Sequence, residues 1–265
     1  MSTEISDESR LFYRRTLEVL NKARLPFLVG GTFALEQYTG VVRPTKDLDL
    51  FIRQDDCAAI LAALERAGYV TEIRFPHWLA KATQGEQFAD LIYSSGNGVC
   101  TVDDGWFRHA IAGEVMGMPA WLTPPEEMLW SKAYVMERER YDGADVAHLL
   151  WACGPVLDWR RLINRFDAHW RVLLSHLVLF GFIYPGERLK IPPWVLRELL
   201  SRLEREVETS DSDRRLCQGT LLSWAQYLGN LKEYGYRDAR QEPVGTLTPH
   251  ETQLVTETFQ KEQEK

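Results

Sequence analysis

Leu28-Val29-Gly30-Gly31-Thr32, followed after a short interval by Arg43-Pro44-Thr45-Lys46-Asp47-Leu48-Asp49-Leu50, decides how this chain folds. The apolar run Phe27-Leu28-Val29 stops abruptly at two glycines and leads into Thr32-Phe33-Ala34-Leu35-Glu36-Gln37, which has the composition of a helix. Strand, glycine turn and helix follow in that order. Glycines at 30 and 31 let the backbone approach a bulky anion, and a helix starting at Thr32 aims its unpaired amides at the same place. The Thr32 hydroxyl is a further donor or a cap for that helix.

The second half of the stretch continues as Asp47-Leu48-Asp49-Leu50-Phe51-Ile52, alternating as a strand does. Successive side chains on a strand point to opposite faces, so Asp47 and Asp49 share one face while Leu48 and Leu50 take the core. Adjacent carboxylates without a counter-ion repel and raise each other's pKa. A hard divalent cation removes that cost. Magnesium takes oxygen ligands at ~2.0–2.1 Å, commonly carboxylates completed by water and substrate phosphate. A third carboxylate is offered by Phe88-Ala89-Asp90-Leu91-Ile92-Tyr93, where Asp90 is a lone charge in an apolar strand. If that strand lies beside the one bearing Asp47 and Asp49, the three groups hold two Mg2+ ions ~3.5–4 Å apart, an arrangement suited to phosphoryl chemistry.

Working outward, residues 10–23 place Leu11, Leu17, Val19 and Leu20 at near-helical spacing, which predicts an opening amphipathic helix. Residues 57–67 predict another, closed by Gly68. Extended runs are expected at 70–75 and 87–93, a hairpin turn at Asn97-Gly98 leading into 99–102, and a strand or strand pair over 113–122. At Pro124-Pro125 the pattern changes to successive helices at 126–139, 143–152, 158–165, 169–182, 193–208 and 213–227. The expected fold class is α+β, a small mixed β-sheet flanked by helices followed by a C-terminal helical domain. The domains are expected at 1–123 (catalytic), 124–240 (helical, completing the cleft) and 241–265, a polar, loose tail.

Composition sets the outer limits. The chain has 265 residues, 45% hydrophobic and 26% charged, enough apolar material for a substantial core. With 31 basic and 38 acidic side chains its formal charge is −7, so no whole-molecule field draws it to nucleic acid or an anionic membrane. The polar, acidic start lacks the features of a secretory signal. The longest apolar stretch, 173–183, is interrupted by Ser175, His176 and Gly181 and falls short of the ~20 residues that span a bilayer. A cytoplasmic protein without a membrane partner is the expectation. Cys57, Cys100, Cys153 and Cys217 are scattered without paired spacing, which excludes a zinc knuckle and predicts reduced, buried thiols. The six histidines are dispersed, and neither a Gly-x-Ser-x-Gly elbow, a Gly-x-x-x-x-Gly-Lys phosphate loop nor a His-Glu-x-x-His helix is present. The tryptophans, among them Trp78, Trp106, Trp121, Trp130 and Trp151, are read mainly as core.

Gly30, Gly31, Asp47, Asp49 and Asp90 match, in order and approximate spacing, the hallmark of the polymerase-beta-like nucleotidyltransferase superfamily, which the chain resembles over residues 28–150. Arg43 and Thr45 complete an Arg-x-Thr-x-Asp-x-Asp form similar to that of small bacterial members, among them antibiotic nucleotidyltransferases and AbiEii-like toxins. Thr32 stands where many relatives have serine, which keeps the hydroxyl. Further on, Pro125, Glu126, Lys132, Arg138, Arg140, Asp142 and Asp145 resemble the segment in which such members carry a phosphate-binding lysine and a cleft aspartate. The resemblance implies a nucleotidyltransferase fold and metal-dependent transfer of a nucleoside monophosphate from a nucleoside triphosphate (NTP, ATP among the candidates), with release of pyrophosphate. It implies Asp47, Asp49 and Asp90 as metal-binding catalytic residues, and Gly30, Gly31, Thr32, Arg43 and Lys132 on the nucleotide. Either Asp142 or Asp145 would line the cleft. The acceptor is left open between a small molecule, tRNA and protein, and a catalytically inactive nucleotide-binding module is the alternative to an enzyme.

Overall fold

The computed structural model describes residues 5–207 and 215–263, with side chains described to residue 258. The described chain divides into two compact units, one comprising residues 1–124 and 247–259 and the other 125–246 and 260–265.

The first unit is built on a seven-stranded sheet. In chain order its elements are α1 (Asp7–Ala23), β1 (Leu28–Val29), α2 (Gly31–Thr39), β2 (Leu48–Phe51), α3 (Cys57–Arg66), β3 (Val70–Phe75), β4 (Leu79–Gln84), β5 (Gln87–Ile92), α4 (Asp104–Arg108), β6 (Ile111–Val115) and β7 (Met118–Leu122). The strand order is β3-β4-β5-β2-β1-β7-β6. β2 pairs parallel to β5 and β1 parallel to β7, while the β1–β2, β3–β4, β4–β5 and β6–β7 pairs are antiparallel. The sheet is therefore mixed, as expected.

Helix α1 starts at Ser6, whose side chain accepts from the Ser9 amide, and carries Asp7 and Glu8 in its first turn, where the helix dipole favours acids. It ends at Arg24, which adopts the left-handed conformation. Its buried face is Phe12, Tyr13, Thr16, Leu17 and Leu20, each fully buried apolar side chain contributing about 1.5–3 kcal/mol. Leu11, expected on that face, is 70% exposed. Its neighbours Phe12 and Tyr13 take the core position, where their rings pack edge-on. Helices α1 and α3 pack on each other and against strands β3 to β5.

Two readings within this unit need correction. Strand β4 was not anticipated, although it forms the hairpin with β5 that fixes the register of Asp90. Asn97-Gly98 is a turn but makes no hairpin strand. The Asn97 side chain accepts from the Val99 amide and the Ser95 hydroxyl from the Cys100 amide, so side chains satisfy what a ladder would have bonded.

The second unit contains α5 (Pro125–Lys132), α6 (Gly143–Cys153), α7 (Trp159–Phe166), α8 (Trp170–Ile183), α9 (Pro193–Val207), β8 (Leu216–Cys217), α10 (Leu228–Lys232) and β9 (Arg237–Asp238). Its core includes Leu149, Leu162, Phe166, Leu173, Leu177, Phe180 and Leu199. Residues 159–183 are long and apolar enough by composition to cross a membrane. Asp167, at φ 39°, nevertheless separates α7 from α8, and the inner faces of both helices are buried within the unit. The helix expected at 126–139 ends at Lys132. Beyond it Met136 bonds to the Leu222 carbonyl, and the Glu137 carboxylate accepts from the Trp224 amide and the Ser223 hydroxyl. That same capture explains why 215–227 is not the expected helix but a short strand, a 3-10 helix and turns. The expected start of that helix at Asp213, like the expected end of α9 at Glu208, lies outside the described residues.

The segment expected as a loose tail is ordered over most of its length. Helix α11 (Pro249–Gln263) begins where the Glu251 carboxylate accepts from the Thr248 amide and hydroxyl, and it buries Thr252 and Val255 beside Leu247. A few well-spaced apolar side chains suffice to hold a polar helix. All four cysteines are free and buried.

Candidate active site

The site in the first unit is assembled by strand register. Asp49 pairs with Asp90 and Leu50 with Leu91 across the parallel β2–β5 ladder, so the two acids share a face while Leu48, Leu50, Ala89 and Leu91 fill the opposite, buried one. Asp47, just ahead of β2, falls on the acidic face by the same period. Ligand oxygens of Asp47, Asp49 and Asp90 lie within 4.8 Å of one another, each side chain partly shielded from solvent. Thr45 secures the first of them, its hydroxyl donating to Asp47 Oδ1 at 2.8 Å. Arg43 lies half-buried in the loop leading to it.

The glycine turn is tied to this cluster. The Gly30 amide donates to the Asp49 carbonyl at 3.0 Å, and Gly30 caps α2 without a side-chain bond. The helix opens at Gly31, one residue earlier than expected, so Thr32 is not its cap. Gly31 has φ +54°, and a Cβ there would overlap Asp49 Oδ2 and stand 2.8 Å from its carboxyl carbon. A Cβ on Gly30 would overlap the ring of Phe51, which stacks on the buried Trp106 at 5.0 Å. Both glycines are therefore required by close approach, and the first turn of α2 is held directly against the acids.

Two site residues escape a motif reading. Lys81 of β4 stands opposite Asp90 in register, with Nζ 2.7 Å from Asp90 Oδ1. Burial holds the Asp90 carboxyl above the usual carboxylate range. Lys81 opposes that shift, and the charge of Asp47 adds to it. Tyr13 of α1 is fully buried, and its phenol is pushed up to about 12 by burial and then by the charges of Asp47 and Asp49. The signal for Lys81 was a single charge in Leu79-Ala80-Lys81-Ala82, the pattern that drew attention to Asp90.

The donor set suits a divalent cation. Three carboxylates converge where one lysine offsets part of their charge, all the donors are hard oxygens, and the missing Cβ of Gly31 is what lets the Asp49 carboxylate sit against the turn.

In the second unit, Lys132, Asp142 and Asp145 form one cluster, with Lys132 Nζ 3.2 Å from Asp142 Oδ2 and 2.8 Å from Asp145 Oδ2. Arg140 adds a bond from Nε to Asp142 Oδ1 at 3.1 Å. Burial alone would raise the Asp142 carboxyl, but Lys132 and Arg140 prevail and hold it below the usual range. Glu126 belongs elsewhere. With the fully buried Glu127 it engages Arg161, and Glu127 also binds Arg165 at 3.1 Å.

Residues 13–87 match the family model described as aminoglycoside-2''-adenylyltransferase. None of the curated protein sequences compared matches the chain. Among solved structures, the antibiotic-resistance factor ANT(2'')-Ia in solution is 18% identical, with 65% of this chain and 98% of that one covered at a TM-score of 0.45. The lincosamide antibiotic adenylyltransferase LnuA, lincomycin-bound, is 15% identical, with 55% and 96% covered at 0.40. An antigenic nucleotidyltransferase-like protein from Paracoccidioides brasiliensis is 15% identical, with 64% and 92% covered at 0.37.

Proposed function

We propose that this chain is a nucleotidyltransferase of the polymerase-beta-like superfamily and transfers a nucleoside monophosphate from an NTP to a hydroxyl of a small-molecule acceptor, releasing pyrophosphate. The convergence of Asp47, Asp49 and Asp90 beside the Gly30-Gly31 turn is the observation that carries this reading.

The triphosphate is received at the first turn of α2, where unpaired amides and the helix dipole attract anions and the glycines admit close approach. Thr32 and Arg43 add a donor and a positive charge on the nucleotide. Mg2+, held by Asp47, Asp49 and Asp90 as two ions, would offset charge developing on the transferring phosphoryl group when bound. The acceptor oxygen attacks the α-phosphorus, its proton passes to the Asp90 carboxylate, and the bond to the bridging oxygen breaks to free pyrophosphate. Positioning and electrostatics carry most of the acceleration. Lys132 is ion-paired to Asp142 and Asp145 within the second unit.

A small acceptor, of the aminoglycoside type named in the matching family, is supported by that match and by the net charge of −7, which gives no general attraction for tRNA. The cytoplasm, where nucleotide is at hand, is the compartment this reading assigns.

The test incubates the protein with each α-labelled NTP and Mg2+, supplied separately with aminoglycosides, tRNA or protein. Label on the aminoglycoside pool supports the proposal, whereas label on tRNA or protein moves the acceptor to a macromolecule. Absence of transfer together with absence of Mg2+-dependent nucleotide binding by calorimetry refutes the enzymatic reading.

A further inference from the structure

The cleft between α7 and α9 carries a cluster of side chains that the proposed transfer does not use. It encloses about 510 Å³ and lies wholly within the second unit. α7 contributes Arg160 and Asn164, one turn apart, and α9 contributes Trp194, Arg197 and Ser201, which recur at helical spacing on one face. Val195 and Leu199, the buried residues of α9, take the neighbouring face, so this one is left to the cleft. With Glu198 and Arg202 the lining holds three guanidiniums and one carboxylate, a net positive site in a chain of formal charge −7. Arg202 takes up that carboxylate, with Nε 3.0 Å from Glu198 Oε1. The Arg160 guanidinium lies over the Trp194 ring, 5.2 Å from its centroid, and neither Arg160 nor Arg197 has a side-chain ion pair among the described residues.

Like charges lining one cleft repel, and an anion with several acceptor oxygens relieves that repulsion while filling the guanidinium forks. Trp194 is 39% exposed beside them, a flat apolar surface at the edge of positive charge. Guanidiniums next to an indole are the combination that meets a phosphate joined to an aromatic base. The volume suits such a ligand, since small-molecule sites run from roughly 300 to 1,000 Å³. We propose that the α7–α9 cleft binds a free nucleoside monophosphate, with its phosphate on Arg160 and Arg197, its base on Trp194 and its remaining polar groups on Asn164 and Ser201. The guanidiniums supply the positive charge, so binding is expected without a divalent cation. A nucleoside monophosphate is neither substrate nor product of the transfer proposed above, so this is binding without turnover, and it does not rest on the aspartate cluster of the first unit.

Calorimetry on the full chain in EDTA is the experiment, with AMP, inorganic phosphate and single-stranded oligoadenylate as separate titrants. AMP is expected to bind at one site per chain, at least about tenfold more tightly than phosphate, which is the contribution of a stacked base. Arg197→Met should weaken AMP about tenfold or more, the loss of a charge-assisted bond, while Trp194→Leu should bring AMP down to the level of phosphate. Asp49→Asn should bind AMP as the wild type does, which separates this site from the aspartate cluster whatever that cluster proves to do. Circular dichroism checks each fold, and Arg160→Gln stands in if Arg197→Met does not fold. AMP affinity unchanged in a folded arginine variant, or lost in Asp49→Asn, overturns the assignment, as does absence of AMP binding to the wild type. Oligoadenylate bound about tenfold more tightly than AMP overturns the free nucleotide as the ligand.

Discussion

Gly31→Ala tests most directly whether the glycine turn and the acidic cluster act as one device. Gly31 sits at φ +54°, where a residue with a Cβ pays roughly 1–2 kcal/mol. The added methyl would overlap Asp49 Oδ2 and leave only 2.8 Å to its Cγ and 3.0 Å to its Cβ. The tightest of these contacts, 1.9 Å to Oδ2, governs: ordinary contact begins at about 3.4 Å, so the carboxylate must retreat or turn by roughly 1.5 Å or the turn must open by as much. Misplacement of about 1 Å at a reacting centre can cost ~10²-fold in rate. The expected outcome is a stability loss of roughly 1–3 kcal/mol in urea unfolding and a fall in nucleotide transfer of about two orders of magnitude. Labelled NTP, Mg2+ and whichever acceptor pool takes up label provide the assay, with circular dichroism confirming the fold. A folded Gly31→Ala protein that turns over within threefold of wild type refutes the coupling between the turn and Asp49.

Three further outcomes are expected. Asp49→Asn keeps the side-chain volume and removes the charge, so transfer should drop by roughly 10²-fold or more with little change in thermal midpoint, and full turnover by the folded variant rejects the site assignment. Glu127→Gln leaves Arg161 and Arg165 short of a fully buried carboxylate, which should destabilise the chain by about 3–5 kcal/mol; a chemical-denaturation change under about 1 kcal/mol contradicts the clamp. Asp238 is buried against Arg240, with Nε 3.0 Å from Oδ1 and Nη2 2.6 Å from Oδ2. Burial alone would raise its pKa, but the Arg240 contacts lower it. Because the folded value is depressed, the stability it contributes is present above the unfolded value of about 3.9 and is lost as pH falls through the folded one. The stability gap between wild type and Asp238→Asn should therefore narrow below about pH 4 in urea titrations, and a gap constant from pH 7 to pH 3 counts against the pairing.

Much of the first unit was legible because its signals are local. An apolar run ending at Gly30 and Gly31, and acids alternating with Leu48 and Leu50, need only the period of a strand to be interpreted. Elements whose identity depends on the partners they pack or pair with were not legible. β4 is built from Leu79-Ala80-Lys81-Ala82-Thr83-Gln84, a composition that reads as neither strand nor helix until β3 and β5 flank it. Leu11 and Phe12 are both apolar, and only packing decides which faces the core. The helical pattern within 215–227 loses to Glu137, which draws the Ser223–Trp224 backbone out of a helix by bonds across a long stretch of chain. α11 was concealed by its polar composition, since the side chains that hold it, Thr252 and Val255, are few.

By itself, the sequence determined that a glycine turn precedes a strand bearing Asp47 and Asp49 on one face, and that a lone acid at Asp90 requires a partner. Tertiary structure alone decided that this partner set contains Lys81 as well as the other aspartates, because Lys81 meets Asp90 across the β4–β5 hairpin and Asp90 meets Asp49 across the β2–β5 ladder, pairings that the period of a single strand does not specify. Residue periodicity specifies which way a side chain points; only the pairing of strands specifies what it meets there.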